Sequence, residues 1–306
     1  MHMTETGKMI LDRYQMRKTK AQKTEFIRFM QQRYPDMQVE CGGRMGNRNL
    51  VLGDVEKADI VLGAHYDTCA QLPFPNFITP KNILLCIGYS LLISLPFIGI
   101  GVLLAWLVGL VEGLEFLQPL AAYIGIFGSM FYVMMGGPAN QNTVNDNTSG
   151  VLTLVQLMDT MTEEEKQRVA FVLFDNEENG LLGSMRFAKV HKNAMKHKLL
   201  INFDCVSDGD HLMLVMQKGA YGLAEQLRAA FVPCAGKEVL VEKAGNTVYP
   251  SDQANFPVGV GAAALKKKKG VGLYMNRIHT KKDTVLMQEN LDCLADGVKR
   301  YLDQNR

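Results

Sequence analysis

Seven side chains able to hold a divalent cation or move a proton stand where apolar segments end. His65 and Asp67 follow the run Ile60–Ala64. Glu177 and Glu178 follow Val169–Phe174, and Asp204 follows Leu199–Phe203. Asp146 precedes Ser149-Gly150 and a helical stretch, and His279 stands in Arg277-Ile278-His279-Thr280. Imidazole and carboxylate together suit a borderline divalent ion such as zinc. Taken singly, each feature is ordinary. A His-x-Asp is commonly a surface pair, and adjacent glutamates are usually solvated. Asn145–Thr148 reads as a turn with a helix N-cap, and Asp204 as a loop cap. It is the shared placement that points to one site, because in open α/β sheets sites form at the carboxyl ends of the strands.

The elements that must position these residues are legible in the apolar pattern. Ala58–Ala64, Arg168–Phe174, Leu199–Phe203 and Leu212–Met216 read as strands, with shorter ones at Gln38–Cys41 and Asn49–Leu52. Helices are expected over Met9–Tyr34, Ser149–Met161, Leu182–Val190, Tyr221–Phe231 and Glu289–Asp303. Strands alternating with helices predict a largely parallel sheet covered on both faces. The chain has 306 residues, 47% of them hydrophobic. That suffices for one large α/β domain with a modest insertion.

The insertion is visible as a change of composition. From Asn82 to Val111, and again from Phe116 to Asn145, there is no charged residue. Each stretch contains the ~20 apolar residues that span a bilayer. Asn82–Leu110 and Phe116–Met135 therefore predict a two-span membrane hairpin, so that 82–135 interrupts a catalytic domain made of 1–81 and 136–306. A buried hairpin, lid or dimer interface is the competing expectation. The loop Val111–Glu115 carries two acids and no base, which favours a catalytic domain on the cytoplasmic side. The first 22 residues lack the apolar core and small-residue site of a secretory signal.

The motifs resemble those of the dizinc aminopeptidase family that includes bacterial leucyl aminopeptidases and yeast aminopeptidase Y. The matching segments are Gly63–Thr68 (GAHYDT), Asn145–Gly150 (NDNTSG), Phe174–Ser184 (FDNEENGLLGS), Ile201–Asp204 (INFD) and Arg277–Thr284 (RIHTKKDT), in the family's order. The resemblance implies a three-layer α/β/α fold with a mixed, mainly parallel sheet, and two Zn2+ ions per chain. His65 and Asp204 would hold one ion, Glu178 and His279 the other, and Asp146 would bridge them across a cis bond to Asn147. Asp67 would orient His65. Glu177 would be the general base that takes a proton from the attacking water, and Tyr249 a donor to the oxyanion. Two departures are Asn147, where the family usually has a second aspartate, and Gln253, where a histidine often follows the Ser251-Asp252 pair.

The implied substrate is a peptide or aminoacyl compound, cleaved at its N-terminal bond. A single-zinc glutaminyl-cyclase-like enzyme, an amidohydrolase acting on a small amide, and a non-catalytic membrane scaffold of the same fold remain competing readings. Metal counting separates the first; retention of every ligand and of Glu177 argues against the last. Thirty-three Lys and Arg against thirty-one Asp and Glu, a formal charge of +2, give no reason to expect nucleic acid. The six cysteines show no CxxC spacing and, as isolated thiols, fit a reducing compartment. Lys266–Lys269 reads as a solvated hairpin turn, with contact to anionic lipid as the functional alternative.

Overall fold

A computed structural model describes residues 3–43 and 45–305. Its centre is a mixed sheet. In chain order the strands are β1 (Gln38–Gly42), β2 (Asn47–Leu52), β3 (Ile60–His65), β4 (Val169–Phe174), β5 (Leu199–Phe203), β6 (His211–Met216), β7 (Glu238–Lys243), β8 (Gly259–Lys268) and β9 (Gly272–Tyr274). They lie in the order β1-β2-β4-β3-β5-β8-β6-β7, with β9 paired to β8. The middle of the sheet, β4-β3-β5-β8, is parallel; β1-β2, β2-β4 and β8-β6 are antiparallel.

Both faces of the middle strands are buried, and alternate residues serve opposite layers. Ile60, Leu62 and Ala64 of β3 face one core, together with Val169, Phe171 and Leu173 of β4. Helices Gly150–Thr160 and Gln288–Gln304 contribute Leu154 and Leu294 to that core. Val61, Ala170, Val172 and Phe174 face the other, against Phe187 of helix Leu182–Val190. This is the three-layer arrangement the sequence predicts, and it explains why these strands read as continuous apolar runs.

The N-terminal segment differs from expectation. In place of one helix over Met9–Tyr34 there are two, α1 (Glu5–Arg13) and α2 (Lys20–Arg33). Thr19 and Gln22 form a capping box that starts α2 afresh. The intervening turn sends Arg17 inward, where it is completely buried. Strands β7, β8 and β9 are absent from the sequence reading. Most of β8 lies buried between β5 and β6, and its Gly-Val-Gly-Ala-Ala-Ala start lacks the bulky β-branched alternation that announces a strand. The β8–β9 hairpin contains the lysine run. Lys266 is held by Asp208 at 3.0 Å and Asn276 at 2.7 Å, while Lys267–Lys269 are exposed.

Cys234 and Cys293 are not isolated, as the sequence suggested, but bonded to each other across 59 residues. The cause is tertiary: Cys293 lies in helix Gln288–Gln304, which rests on the Ala224–Ala230 helix and the Phe231 ring after it. No local spacing announces such a contact.

Between β3 and β4 the chain forms two long apolar helices. α3 (Ile83–Gly109) has 27 residues and a mean hydropathy of 2.5; its partner, Glu115–Gly136, has 22 and 1.4. Both are long and apolar enough to cross a bilayer, and their apolar side chains are largely exposed, Leu84 by 81% and Phe116 by 74%. They cross closely at Gly101 and Gly125. A Cβ on Gly125 would come within 2.6 Å of the Gly101 Cα, so only glycine fits there. Such small-residue crossings are how apolar helices associate where water supplies no driving force. Both stems of the hairpin lie against the loop that carries His279: Leu72 N donates to His279 O at 2.7 Å, and Asn140 Nδ2 to Thr280 O at 3.1 Å.

Candidate metal centre

The candidate site lies at the carboxyl ends of three neighbouring parallel strands, β4, β3 and β5. His65 ends β3, Asp204 follows β5, and Glu177 and Glu178 lie in the turn after β4. Asp146 enters from the segment before helix Gly150–Thr160, and the Asp146–Asn147 bond is cis. His279 enters from the loop beyond β9. Strand pairing thus fixes His65, Asp204 and the Glu177–Glu178 turn relative to one another, while two loops close the cluster.

The geometry divides into two donor sets that share Asp146. His65 Nε2 lies 3.4 Å from Asp146 Oδ1 and 3.4 Å from Asp204 Oδ1. His279 Nε2 lies 2.8 Å from Asp146 Oδ2 and 3.4 Å from Glu178 Oε2. Donors at about 2.0–2.1 Å from a tetrahedral zinc stand roughly 3.3 Å apart, so three of the four spacings match. Asp204 Oδ1 and Glu178 Oε1 are buried without a hydrogen-bond partner among the described residues. Buried acceptors of that kind are costly unless something positive meets them. The residues therefore fit divalent cations.

The electrostatics agree. Burial alone would lower His65, but Glu177, Asp146, Asp204 and Asp67 outweigh it and hold the imidazole well above its usual range. Burial likewise opposes the charge on His279, yet Glu178 and Asp146 push it up to about 10. Glu178 is raised to about 8, first by burial and then by Asp146. Burial also raises Glu177 well above the ordinary carboxylate range, with Glu178, Asp204 and Asp252 adding to it and His65 opposing. The cluster draws positive charge, which two divalent ions would supply.

Supporting groups hold the donors from outside. The Asp67 carboxylate accepts from the main-chain N–H of Glu177 at 3.0 Å and of Glu178 at 3.2 Å. His65 Nδ1 meets the Asp67 main-chain oxygen at 3.1 Å, with the carboxylate 3.7 Å away. Tyr249 is buried, and its hydroxyl donates to the main-chain oxygen of Asp204 at 2.9 Å. Asn147 donates through Nδ2 to His65 O and Phe203 O, at 3.3 and 2.9 Å. Its Oδ1 accepts from Gly150 N and Cys205 N, at 3.1 and 3.2 Å. An amide can both donate and accept; an ionised aspartate cannot. The Asn147 departure is therefore a staple between the ends of β3 and β5.

Three groups escaped the sequence reading. Asp283 accepts from Asn145 N at 2.7 Å and Asp146 N at 3.0 Å, fixing the bridging residue's backbone. Its place four residues after His279 was the available signal. Cys69, four residues after His65, brings a buried thiol beside Glu178 and His279. Arg17 lay in what read as a helix interior. The backbone is forced into the left-handed region at Asn176, Leu181, Cys205 and His279, all in or beside the site. Such conformations in non-glycine residues concentrate where geometry is functional.

A cavity of about 380 Å³ opens onto the cluster, its apolar lining including Ile78, Leu181, Met275 and Ile278.

Fold and donor set together fit a metal-dependent enzyme. The model of peptidase family M28 matches residues 129–299, more than half of the chain, and the chain belongs to that family. Membership makes it a metallopeptidase by family. Among curated proteins no sequence matches. Among solved structures, the LapA aminopeptidase of Legionella pneumophila is 12% identical over 98% of this chain and 68% of its own, with a TM-score of 0.55. The glutaminyl cyclase of Porphyromonas gingivalis is 14% identical over 99% and 98%, with a TM-score of 0.58. BSAP, a zinc aminopeptidase from Bacillus subtilis, is 16% identical over 85% of this chain, with a TM-score of 0.48; the chain spans 49% of that enzyme's length. At these identities the likeness establishes the fold alone, one shared by peptide hydrolases and a cyclase.

Proposed function

We propose that the chain is a membrane-anchored aminopeptidase that holds two zinc ions and hydrolyses the N-terminal bond of a peptide or aminoacyl substrate. The observation that carries this reading is the division of Asp146, one carboxylate oxygen toward His65 and Asp204, the other toward His279 and Glu178. His65 and Asp204 would hold one ion and His279 and Glu178 the second, with Asp146 shared by the two sets. Bound zinc supplies a Lewis acid for the scissile carbonyl and acidifies water toward neutral pH.

The chain's own groups do the rest. Glu177 is the general base: its carboxylate takes a proton from the attacking water and passes it to the leaving amine. Asp67 holds the Glu177–Glu178 turn, which keeps base and ligand in register. Tyr249 borders the cavity and donates to the oxyanion once its hydroxyl leaves Asp204 O. No Arg or Lys is among the described residues bordering the cavity. Apart from the two ions, which the reacting carbonyl would engage, a substrate carboxylate would meet no Arg or Lys there. That supports cleavage at the amino end. Aminoacyl arylamides with a free amine should be hydrolysed and their N-acetylated forms should not. Equal turnover of both, or cyclisation of glutaminyl peptides with one zinc per chain, would reject this reading.

Residues 82–135 form the membrane hairpin, and 1–81 with 136–306 form the catalytic domain. A hairpin returns the chain to the side it left, so β3 and β4 can pair across it. The acidic loop supports a cytoplasmic catalytic domain.

A further inference from the structure

We infer that Arg17 is a positioning residue for the metal centre: from the turn between α1 and α2 it locks together, from behind, the chain segments that carry His65 and Asp146. The inference rests on the two-zinc reading above for what the locked groups do, but on the structure for the lock itself.

Arg17 is completely buried, and it has no carboxylate partner within hydrogen-bond distance among the described residues. Its Nε donates to the main-chain oxygen of Tyr66, which lies between His65 and Asp67. Its Nη2 donates to Thr148 Oγ1 at 3.2 Å, two residues after Asp146. Its Nη1 donates to Tyr14 O, closing the turn from which it comes. Its main-chain N–H donates to Thr68 Oγ1 at 2.9 Å. The guanidinium also stands over the Phe26 ring at 5.2 Å. One side chain thus ties the end of β3 to the segment before helix Gly150–Thr160, two parts of the chain separated by the whole apolar insertion.

The choice of arginine follows from this geometry. Burying an unpaired guanidinium is costly, and a fold tolerates it where the planar fork meets several fixed acceptors at once. A lysine would keep the charge but could not span Tyr66 O, Tyr14 O and Thr148 Oγ1 together. The electrostatic share points to the same place, for Asp67 and Asp146 are the acidic side chains whose fields act on Arg17. A second cation works in parallel. Lys23 Nζ donates to Asp175 Oδ1 at 2.6 Å and Asn176 Oδ1 at 2.8 Å, bracing the turn just before Glu177 and Glu178. The two N-terminal helices therefore carry a brace for three of the segments that converge on the site.

The test compares Arg17→Lys with Thr148→Val in purified full-length protein. The first keeps the charge and loses the fork; the second keeps Arg17 and removes one acceptor. Zinc affinity, by competition with a chromophoric chelator, is the readout that a purely structural strut would not move. Both variants should retain native far-UV circular dichroism and bind zinc 10- to 100-fold more weakly, the range seen when groups orienting metal ligands are removed. The double variant should be little worse than Arg17→Lys alone, because both disturb one lock. Native zinc affinity in folded Arg17→Lys, whatever its melting temperature, would overturn the proposal. Should wild type itself bind no zinc, the two-zinc reading fails instead, and that outcome is distinguishable.

Discussion

His279 Nε2 lies 2.8 Å from Asp146 Oδ2, on the side of the carboxylate away from His65. Because the two Asp146 oxygens face different imidazoles, removing this one side chain should damage both donor sets. Asp146→Ala is expected to lose zinc at both positions, while His65→Ala and His279→Ala each chiefly weaken one. Elemental analysis of the purified variants checks this. Two full equivalents retained by Asp146→Ala would refute the shared ligand.

Asn147 gives a prediction that runs against the resemblance. Restoring an aspartate should destabilise this chain by about 1–3 kcal/mol, since two carbonyl oxygens would lose their donor and face a carboxylate. The loss should appear as a lower melting temperature at neutral pH and shrink at acidic pH, where a protonated carboxyl can donate again. An unchanged melting temperature at pH 7.5 would contradict the staple.

Zinc affinity should rise with pH. The imidazole of His279, pushed up to about 10, and the carboxyl of Glu178, raised to about 8, hold protons that must leave before either can bind a cation. Binding therefore releases protons, and lowering the pH from 8 toward 6 weakens it. Chelator competition across that interval measures the slope, and a flat profile would show that these groups do not bind the ion.

The apolar hairpin predicts that the intact protein stays with the membrane fraction through carbonate and high-salt washing. A cysteine at Gly113 should react with an impermeant thiol reagent in intact cells if the catalytic domain is cytoplasmic. Release by carbonate would leave only a lid or dimer contact. Protection of Gly113 would place the domain on the other side.

How much of this was legible in the sequence depends on where each residue takes its environment from. Strands β3, β4 and β5 are buried on both faces, so they read as unbroken apolar runs, and the residues at their ends stood out with them. The two apolar helices are legible for the same reason. Strand β8 escaped because its buried half is built mainly from Gly and Ala, which leave little side-chain periodicity. Arg17 escaped because its role depends on Tyr66 and Thr148, distant in sequence, and because no Gly or Pro marks the turn that carries it. Cys234 and Cys293 escaped similarly: their pairing follows from helices meeting, not from spacing. Asn147 was visible as a departure, yet only the carbonyl oxygens around it show why an amide serves.

The central claim is that this cluster is a two-zinc hydrolytic site with Glu177 as its base. The most direct test measures zinc content and arylamide turnover together in wild type and Glu177→Ala. The account predicts two zinc ions per chain in both, with turnover in the variant lower by a factor of about 10²–10⁴. A Glu177→Ala variant that keeps its zinc and more than about a tenth of wild-type turnover would contradict the claim, since losing a true general base costs far more than that.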